Sequence, residues 1–179
     1  MENKNGKRII GEGRYLRLVD DNGWEYVERK NTKSVVAVVN RTKSGHVLLV
    51  EQFRPAVKGN VIEWPAGLVG DEGDPEESLE TAAKRELLEE TGYAAEQIVE
   101  LITGPSSTGV TSEEITYVMA VGLEKKGNGG GVAGEKITVH EVPASVAHEW
   151  LSKRIESGVQ VDPRVYVGLY FMDKAIDEK

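Results

Sequence analysis

Apolar and polar positions alternate along Gly-Arg-Tyr-Leu-Arg-Leu-Val-Asp (13–20) and again along Trp24 to Arg29. Asp21-Asn22-Gly23 between them is a turn signal, so the N-terminal segment is predicted to form a β-hairpin. Val35 to Val39 is instead a continuous apolar run, the mark of a strand buried on both faces. His46–Phe53 is its expected partner through the Thr42-Lys43-Ser44-Gly45 turn. Further strands are predicted near Val99–Thr103, Ile115–Gly122 and Ile137–Val142, completing a mixed sheet. A helical period appears over Pro75–Thr91, with Asp74 as N-cap, Pro75 at the first helical position, Glu77 completing a capping box and Gly92 as terminator. Its apolar stripe of Leu79, Ala82, Ala83 and Leu87 faces the core and turns the glutamates outward. Two more helices are predicted over roughly 145–157 and 163–175. Lys125–Gly134 is glycine-rich and reads as a flexible loop, since strand-like sequence continues on both sides. No internal repeat is visible, and this order of strands and helices predicts an α/β/α layered sandwich.

Composition narrows the chemistry. A chain of 179 residues suggests one domain able to bury a real core. No apolar run approaches the roughly 20 residues of a membrane span, and Met1–Arg8 shows no apolar signal region. The chain has no cysteine, which excludes disulfides and thiolate chemistry and suits a reducing cytoplasm. A formal charge of −8, with no basic stripe, argues against nucleic acid as a partner. His46, His140 and His148 share no ligand spacing and are expected to be structural or surface residues.

The densest chemical signal is Arg85-Glu86-Leu87-Leu88-Glu89-Glu90-Thr91-Gly92-Tyr93. Positions three and four apart are neighbours on a helix, so Glu86, Glu89 and Glu90 are expected to converge. Such a cluster is either a solvated acidic face or a site for a hard divalent cation, which prefers oxygen ligands. Upstream, Glu63-Trp64-Pro65-Ala66-Gly67 ends a strand and breaks into the loop Leu68–Gly73, which can aim backbone carbonyls at an ion.

These residues resemble the signature of the Nudix hydrolases, Gly-x5-Glu-x7-Arg-Glu-U-x-Glu-Glu-x-Gly-U, where U is a bulky apolar residue. Arg85–Tyr93 matches the second half, with Tyr93 as the final U. The first half departs from it. Asp71 stands where the glycine is expected, and counting forward from Gly67 reaches Gly73-Asp74. The box therefore reads as lengthened by about four residues, roughly one helical turn, with Asp74 as a structural cap and Glu77 unassigned.

Matches at Trp24–Arg29, Val50–Arg54, Glu63–Gly67, Gly104–Glu114 and Gly134–Pro143 are similar to the branch that hydrolyses ADP-ribose and other nucleoside diphosphate sugars. The resemblance implies a Nudix-like α/β/α sandwich over residues 34–179, with the hairpin segment 1–33 making contacts in a homodimer. It implies Mg²⁺, replaceable by Mn²⁺, on Glu86, Glu89, Glu90 and the Ala66 carbonyl, with Arg85 orienting Glu89. Substrate would meet Arg54 through a phosphate, Trp24 or Tyr26 through the base from across the dimer interface, and Arg29, Gly67 and Glu113 elsewhere. Glu114 shares the Glu113 region. Glu135 would act as base or metal ligand on a closing loop, with Glu141 as the alternative. Other diphosphate substrates (a dinucleotide, coenzyme A, an oxidised nucleoside triphosphate) and a non-catalytic nucleotide-binding module are the competing readings.

Overall fold

The N-terminal alternation builds β1 (Lys7–Glu12), β2 (Leu16–Asp21) and β3 (Trp24–Arg29). They pair antiparallel in that order in this computed structural model, which describes residues 6–30, 32, 34–70, 74–132 and 134–177. The predicted hairpin is β2–β3. It turns at Asn22 and Gly23, with φ of 53° and 89°, a geometry whose twist matches the flanking strands. β1 is an addition to the expected pair. Ile9 and Ile10 are adjacent in it, so no alternation announces this strand.

Next come β4 (Val35–Asn40), β5 (His46–Arg54), β6 (Gly59–Glu63) and β7 (Ala66–Leu68), then helix α1 (Leu79–Thr91). Strands β8 (Tyr93–Ala94), β9 (Gln97–Pro105), β10 (Glu114–Val121), β11 (Glu124–Lys125) and β12 (Ile137–Pro143) lead through a short 3-10 turn into α2 (Ala147–Glu156). β13 (Gln160–Val161) and α3 (Arg164–Asp177) complete the order.

β4 and β5 do not pair with each other. β4 lies between β7, antiparallel, and β10, parallel, and β9 forms the outer edge of this sheet. β5 belongs to a second sheet ordered β12-β5-β6-β13, in which β6 and β13 run parallel. The Thr42–Gly45 turn forms, with Gly45 N–H donating to the Thr42 carbonyl at 2.9 Å, but it passes the chain between sheets. Asn40 makes the join. Its amide donates to the Val38 and Leu48 carbonyls at 3.1 and 3.0 Å, and its Oδ1 accepts from Leu48 N–H at 2.7 Å. A buried side chain thus satisfies backbone groups where the strands diverge.

Period-two alternation along β4 divides the core. Val36 and Val38 pack with Leu48, Ala82, Ala83 and Leu87 beneath α1. Ala37 and Val39 pack with Ile62, Trp64, Leu151, Val165 and Leu169 towards α2 and α3. This is the α/β/α layering with mixed sheets that the sequence predicts, built from two sheets rather than one.

α1 begins at Leu79 rather than Pro75. Ser78 is its N-cap, Oγ accepting from Thr81 N–H at 3.1 Å, a contact worth about 1 kcal/mol. Asp74 organises the preceding turn instead, its Oδ1 and carbonyl each accepting at 3.0 Å from the Glu76 and Glu77 N–H groups. No extra helical turn is present among the described residues. Gly92 ends the helix as expected, at φ 77° with its N–H on the Leu88 carbonyl, the left-handed geometry that glycine adopts without steric cost. No helix among the described residues is long and apolar enough to cross a membrane.

Candidate active site

The glutamates of α1 do not all face solvent. Glu86 and Glu90 are only 9% and 5% exposed and line a cleft of about 590 Å³; Glu89 is half-buried. β7 covers this flank of the helix. Ala66 N–H donates to Glu90 Oε2 at 3.1 Å. Gly67 allows the close approach, because a Cβ there would lie 1.9–2.5 Å from the carboxyl atoms of Glu86.

Burial pushes the Glu90 carboxyl up to about 8, and the charges of Glu86 and Glu135 add to the shift, while Ala66 N–H and Arg54 oppose it. Arg85 organises the other side. Its Nε and Nη2 grip Glu77 at 3.0 and 3.2 Å, Nη1 donates to Glu86 at 2.7 Å, and Nη2 reaches the Leu68 carbonyl at 3.2 Å. Glu89 Oε2 lies 3.5 Å from Nη1, so Arg85 does meet Glu89, with Glu77 and Glu86 as its shorter-range partners. The Arg85 guanidinium holds the Glu77 carboxyl below its usual range, burial opposes that, and Gly70 N–H reinforces it from 2.9 Å.

This assigns Glu77 and corrects the reading of the box. Glu77 stands eight residues before Arg85, as the signature requires, and ties the loop at Gly70 to the arginine. Gly70-x6-Glu77 is one residue longer than Gly-x5-Glu, not one helical turn longer.

Among the described residues, no group of three or more His, Cys, Asp or Glu side chains is drawn together as a metal cage. The donor chemistry nevertheless fits a divalent cation. Two buried carboxylates, one turn apart, repel each other beside a backbone that only glycine can bring so close. A hard cation relieves both the desolvation and the repulsion. Glu86, Glu90, Glu89 and the Ala66 carbonyl are the groups that could hold it.

Arg54, at the end of β5, lines the same cleft and donates through Nε to Glu63 at 2.7 Å. Arg29 and Glu113 also line it and form an ion pair with each other, and Glu113 accepts from Ser106 Oγ at 3.2 Å. Glu135 lines it as well, Oε2 accepting from Val132 N–H at 3.0 Å. Trp24 is 62% exposed and does not line the cleft of its own chain. Nor does Tyr26, whose hydroxyl donates to Glu28 at 3.1 Å. Glu141 pairs with Lys125 at 2.8 Å, and like Glu114 it lies off the cleft. The three histidines take structural contacts: His140 with Glu51, His46 with Ser44, and His148 against Tyr166.

Several cleft residues escape sequence reasoning. Glu63 faces Arg54. Asp162 caps α3, accepting from Arg164 N–H at 2.8 Å, and grips the Arg164 guanidinium; both line the cleft. Asp162-Pro163, a cap followed by proline, was the available signal for this helix start. Tyr117 is buried beside them, its hydroxyl without a hydrogen-bond partner among the described residues, and burial pushes it up to about 12. The glycine-rich stretch is not a free loop either. Gly130 and Gly131 N–H donate to the Glu90 and Glu89 carbonyls at 2.9 and 3.1 Å.

A family model described as NUDIX domain matches residues 30–158, well over half of the chain. The chain belongs to the NUDIX family. The matched span carries Arg54, Ala66, Gly67, Glu77, Arg85, Glu86, Glu89, Glu90, Glu113 and Glu135, while Arg29, Asp162 and Arg164 lie outside it. This NUDIX chain is 37% identical over 132 residues to the methanol dehydrogenase activator of Bacillus methanolicus, covering 69% of the chain and 68% of that protein. It is 37% identical over 150 residues to the GDP-mannose pyrophosphatase of Cronobacter sakazakii, covering 78% and 72%. A crystal structure of an ADP compounds hydrolase shares its fold, with a TM-score of 0.72 over 96% of this chain and 92% of that one at 21% identity. The protein is a NUDIX hydrolase.

Proposed function

We propose that this NUDIX hydrolase cleaves the pyrophosphate bond of ADP-ribose or another nucleoside diphosphate sugar, releasing a nucleoside monophosphate and a sugar phosphate. One observation carries the reading: the buried Glu86–Glu90 pair and the guanidinium groups of Arg54, Arg29 and Arg164 line one cleft. Carboxylates suit a divalent cation, and guanidinium forks suit phosphate oxygens. The pyrophosphatase name carried by the Cronobacter relative supports the same reaction class.

Held by Glu86, Glu89, Glu90 and the Ala66 carbonyl, Mg²⁺ (or Mn²⁺) would neutralise the diphosphate and acidify water. The chain's own groups do the rest. Arg85, anchored by Glu77, fixes Glu86 and Glu89 in place. Arg54 exchanges Glu63 for a phosphate oxygen. Glu135 takes the proton from the attacking water as one P–O bond forms and the bridging P–O bond breaks. Arg29, Gly67 and Glu113 position the remainder of the substrate. Segment 1–33 makes the dimer contacts of domain 34–179, so that Trp24 or Tyr26 stacks on the base bound to a second copy.

The test is product identification with Mg²⁺ on a panel of ADP-ribose, GDP-mannose, a dinucleotide, coenzyme A and an oxidised nucleoside triphosphate. Monophosphate and sugar phosphate from the first two, abolished by chelation, are expected. Turnover confined to the other substrates would reassign the specificity. Tight ADP-ribose binding without any product under Mg²⁺ or Mn²⁺ would make the chain a binding module.

A further inference from the structure

The last turn of α1 contains two glutamates and no basic residue, although the carbonyl end of a helix is its negative pole and favours cations. Backbone amides of the glycine-rich stretch fill that role. Gly131 N–H donates to the Glu89 carbonyl, Gly130 N–H to the Glu90 carbonyl, and Lys126 and Gly127 N–H to the Gly92 carbonyl at 2.8 and 3.0 Å. The packing is backbone on backbone. A Cβ on Gly129, at φ 66°, would lie 2.4 Å from the Glu90 carbonyl oxygen, and one on Gly92 would lie 2.3 Å from the Gly127 oxygen.

The same stretch holds Glu135 at its other end. Ile137 N–H returns to the Gly130 carbonyl at 3.3 Å, Glu135 N–H donates to the Val132 carbonyl at 3.0 Å, and Val132 N–H holds Glu135 Oε2. A Cβ on Gly131, at φ 85°, would come within 2.6 Å of that Oε2 and 2.8 Å of the Glu135 Cβ. We infer that the Gly127–Gly131 backbone is a clamp that fastens Glu135 to the carbonyl end of the carboxylate helix, making Gly129 and Gly131 positioning residues for hydrolysis. The role of Glu135 as base rests on the proposal above; the clamp itself does not. One turn of α1 then serves both ends of the site, its side chains aimed at the cation and its carbonyls holding the residue that takes the proton.

Gly129→Ala, Gly131→Ala, Glu135→Gln and each glycine variant combined with Glu135→Gln should be compared on ADP-ribose with Mg²⁺. Each glycine variant is expected to lower kcat by about 10²-fold, the share a general base supplies. KM and the Mg²⁺ concentration for half-activation should stay within about threefold, the signature of a loss confined to the transition state. Adding either change to Glu135→Gln should cost nothing further. Hydrogen exchange without substrate should show slow Gly130 and Gly131 amides in the natural protein and fast ones in Gly129→Ala. Gly131→Ala serves where Gly129→Ala fails to fold, because its added methyl pushes on Glu135 rather than on the helix. Losses that multiply in the double variants, or unchanged exchange in Gly129→Ala, would overturn the clamp. Normal turnover by Glu135→Gln would instead remove the base assignment and the positioning role with it, leaving the exchange measurement to decide the clamp.

Discussion

Glu90 accepts a hydrogen bond from Ala66 against its burial and the nearby charge of Glu86, and its carboxyl is pushed up to about 8. In the metal-free protein it is therefore protonated between pH 4.5 and 8, where the unfolded chain has already lost that proton. The folded state binds more protons over this window, so stability falls as pH rises through it. Glu77 and Glu51 act in the opposite sense. Arg85 holds Glu77 down; burial pushes Glu51 up, but His140, Asn60 and Arg154 together hold it below its ordinary range. Their stabilisation is present above the usual carboxyl pKa and is lost in acid. Replacing Glu90 with glutamine keeps an acceptor for Ala66 and removes the charge. In chelator at pH 8, Glu90→Gln is expected to raise stability by a few kcal/mol, on the order of the shift in free-energy terms. Near pH 4 the two proteins should melt alike. Thermal melts at the two pH values check this, and a lower midpoint for the variant at pH 8 would refute the account. The same variant should lose turnover by orders of magnitude with Mg²⁺ restored.

Between elements, the decisive contact is β7 against α1. Gly67→Ala would place a methyl inside the carboxyl group of Glu86. Either the strand or the glutamate must move, so Mg²⁺ activation is expected to weaken by at least about tenfold, with a stability loss of about 1–3 kcal/mol from overpacking. Metal titration by calorimetry and a melt separate the two effects; unchanged metal affinity would contradict the tight β7–α1 approach. This contact also marks where sequence reading stops. Helix spacing makes Arg85–Gly92 legible, because its neighbours are three and four residues away. Glu77 is misread as a capping-box member because its true partners, Arg85 and the Gly70 amide, are not fixed by helical spacing. β4 and β5 look like a hairpin because Thr42–Gly45 is a sound turn, and two runs buried on both faces carry no alternation to fix a register. Asp162 and Arg164 follow β13, whose parallel pairing with β6 has no local signature.

For the whole molecule, the three-stranded N-terminal sheet is joined to the rest where Val27 N–H donates to the Val110 carbonyl at 2.8 Å and the Val27 carbonyl accepts from Ser112 N–H at 3.1 Å. Arg29 and Glu113 pair beside this junction. Ile9, Ile10, Leu16 and Trp24 remain exposed on the sheet, as does Tyr15 in the bend before β2, apolar area that the proposed dimer would cover. Sedimentation is expected to give twice the chain mass. Trp24→Ala should raise KM for a nucleoside diphosphate sugar by about tenfold, the scale of one aromatic–base contact, with little change in the thermal midpoint. A monomeric protein with normal KM in the variant would remove Trp24 from substrate recognition.

Asn40 stitches the two sheets at one point, yet each sheet is completed from far downstream: Val35 meets Ile115, Val50 meets Val139, and Val61 meets Gln160. Such non-local pairing belongs to the slow, millisecond-to-second end of folding. α1 and β7 are close in the chain, whereas the cleft also draws Ile115 and Tyr117 from β10 and Glu135 from just ahead of β12. A chain interrupted before Glu135 would keep the acidic helix and unpaired strand edges, with neither Glu135 nor β12 to complete the cleft. A cleft that draws on Ile115, Glu135 and Arg164 is complete only when these distant segments have come together, and unpaired strand edges are open to aggregation until then.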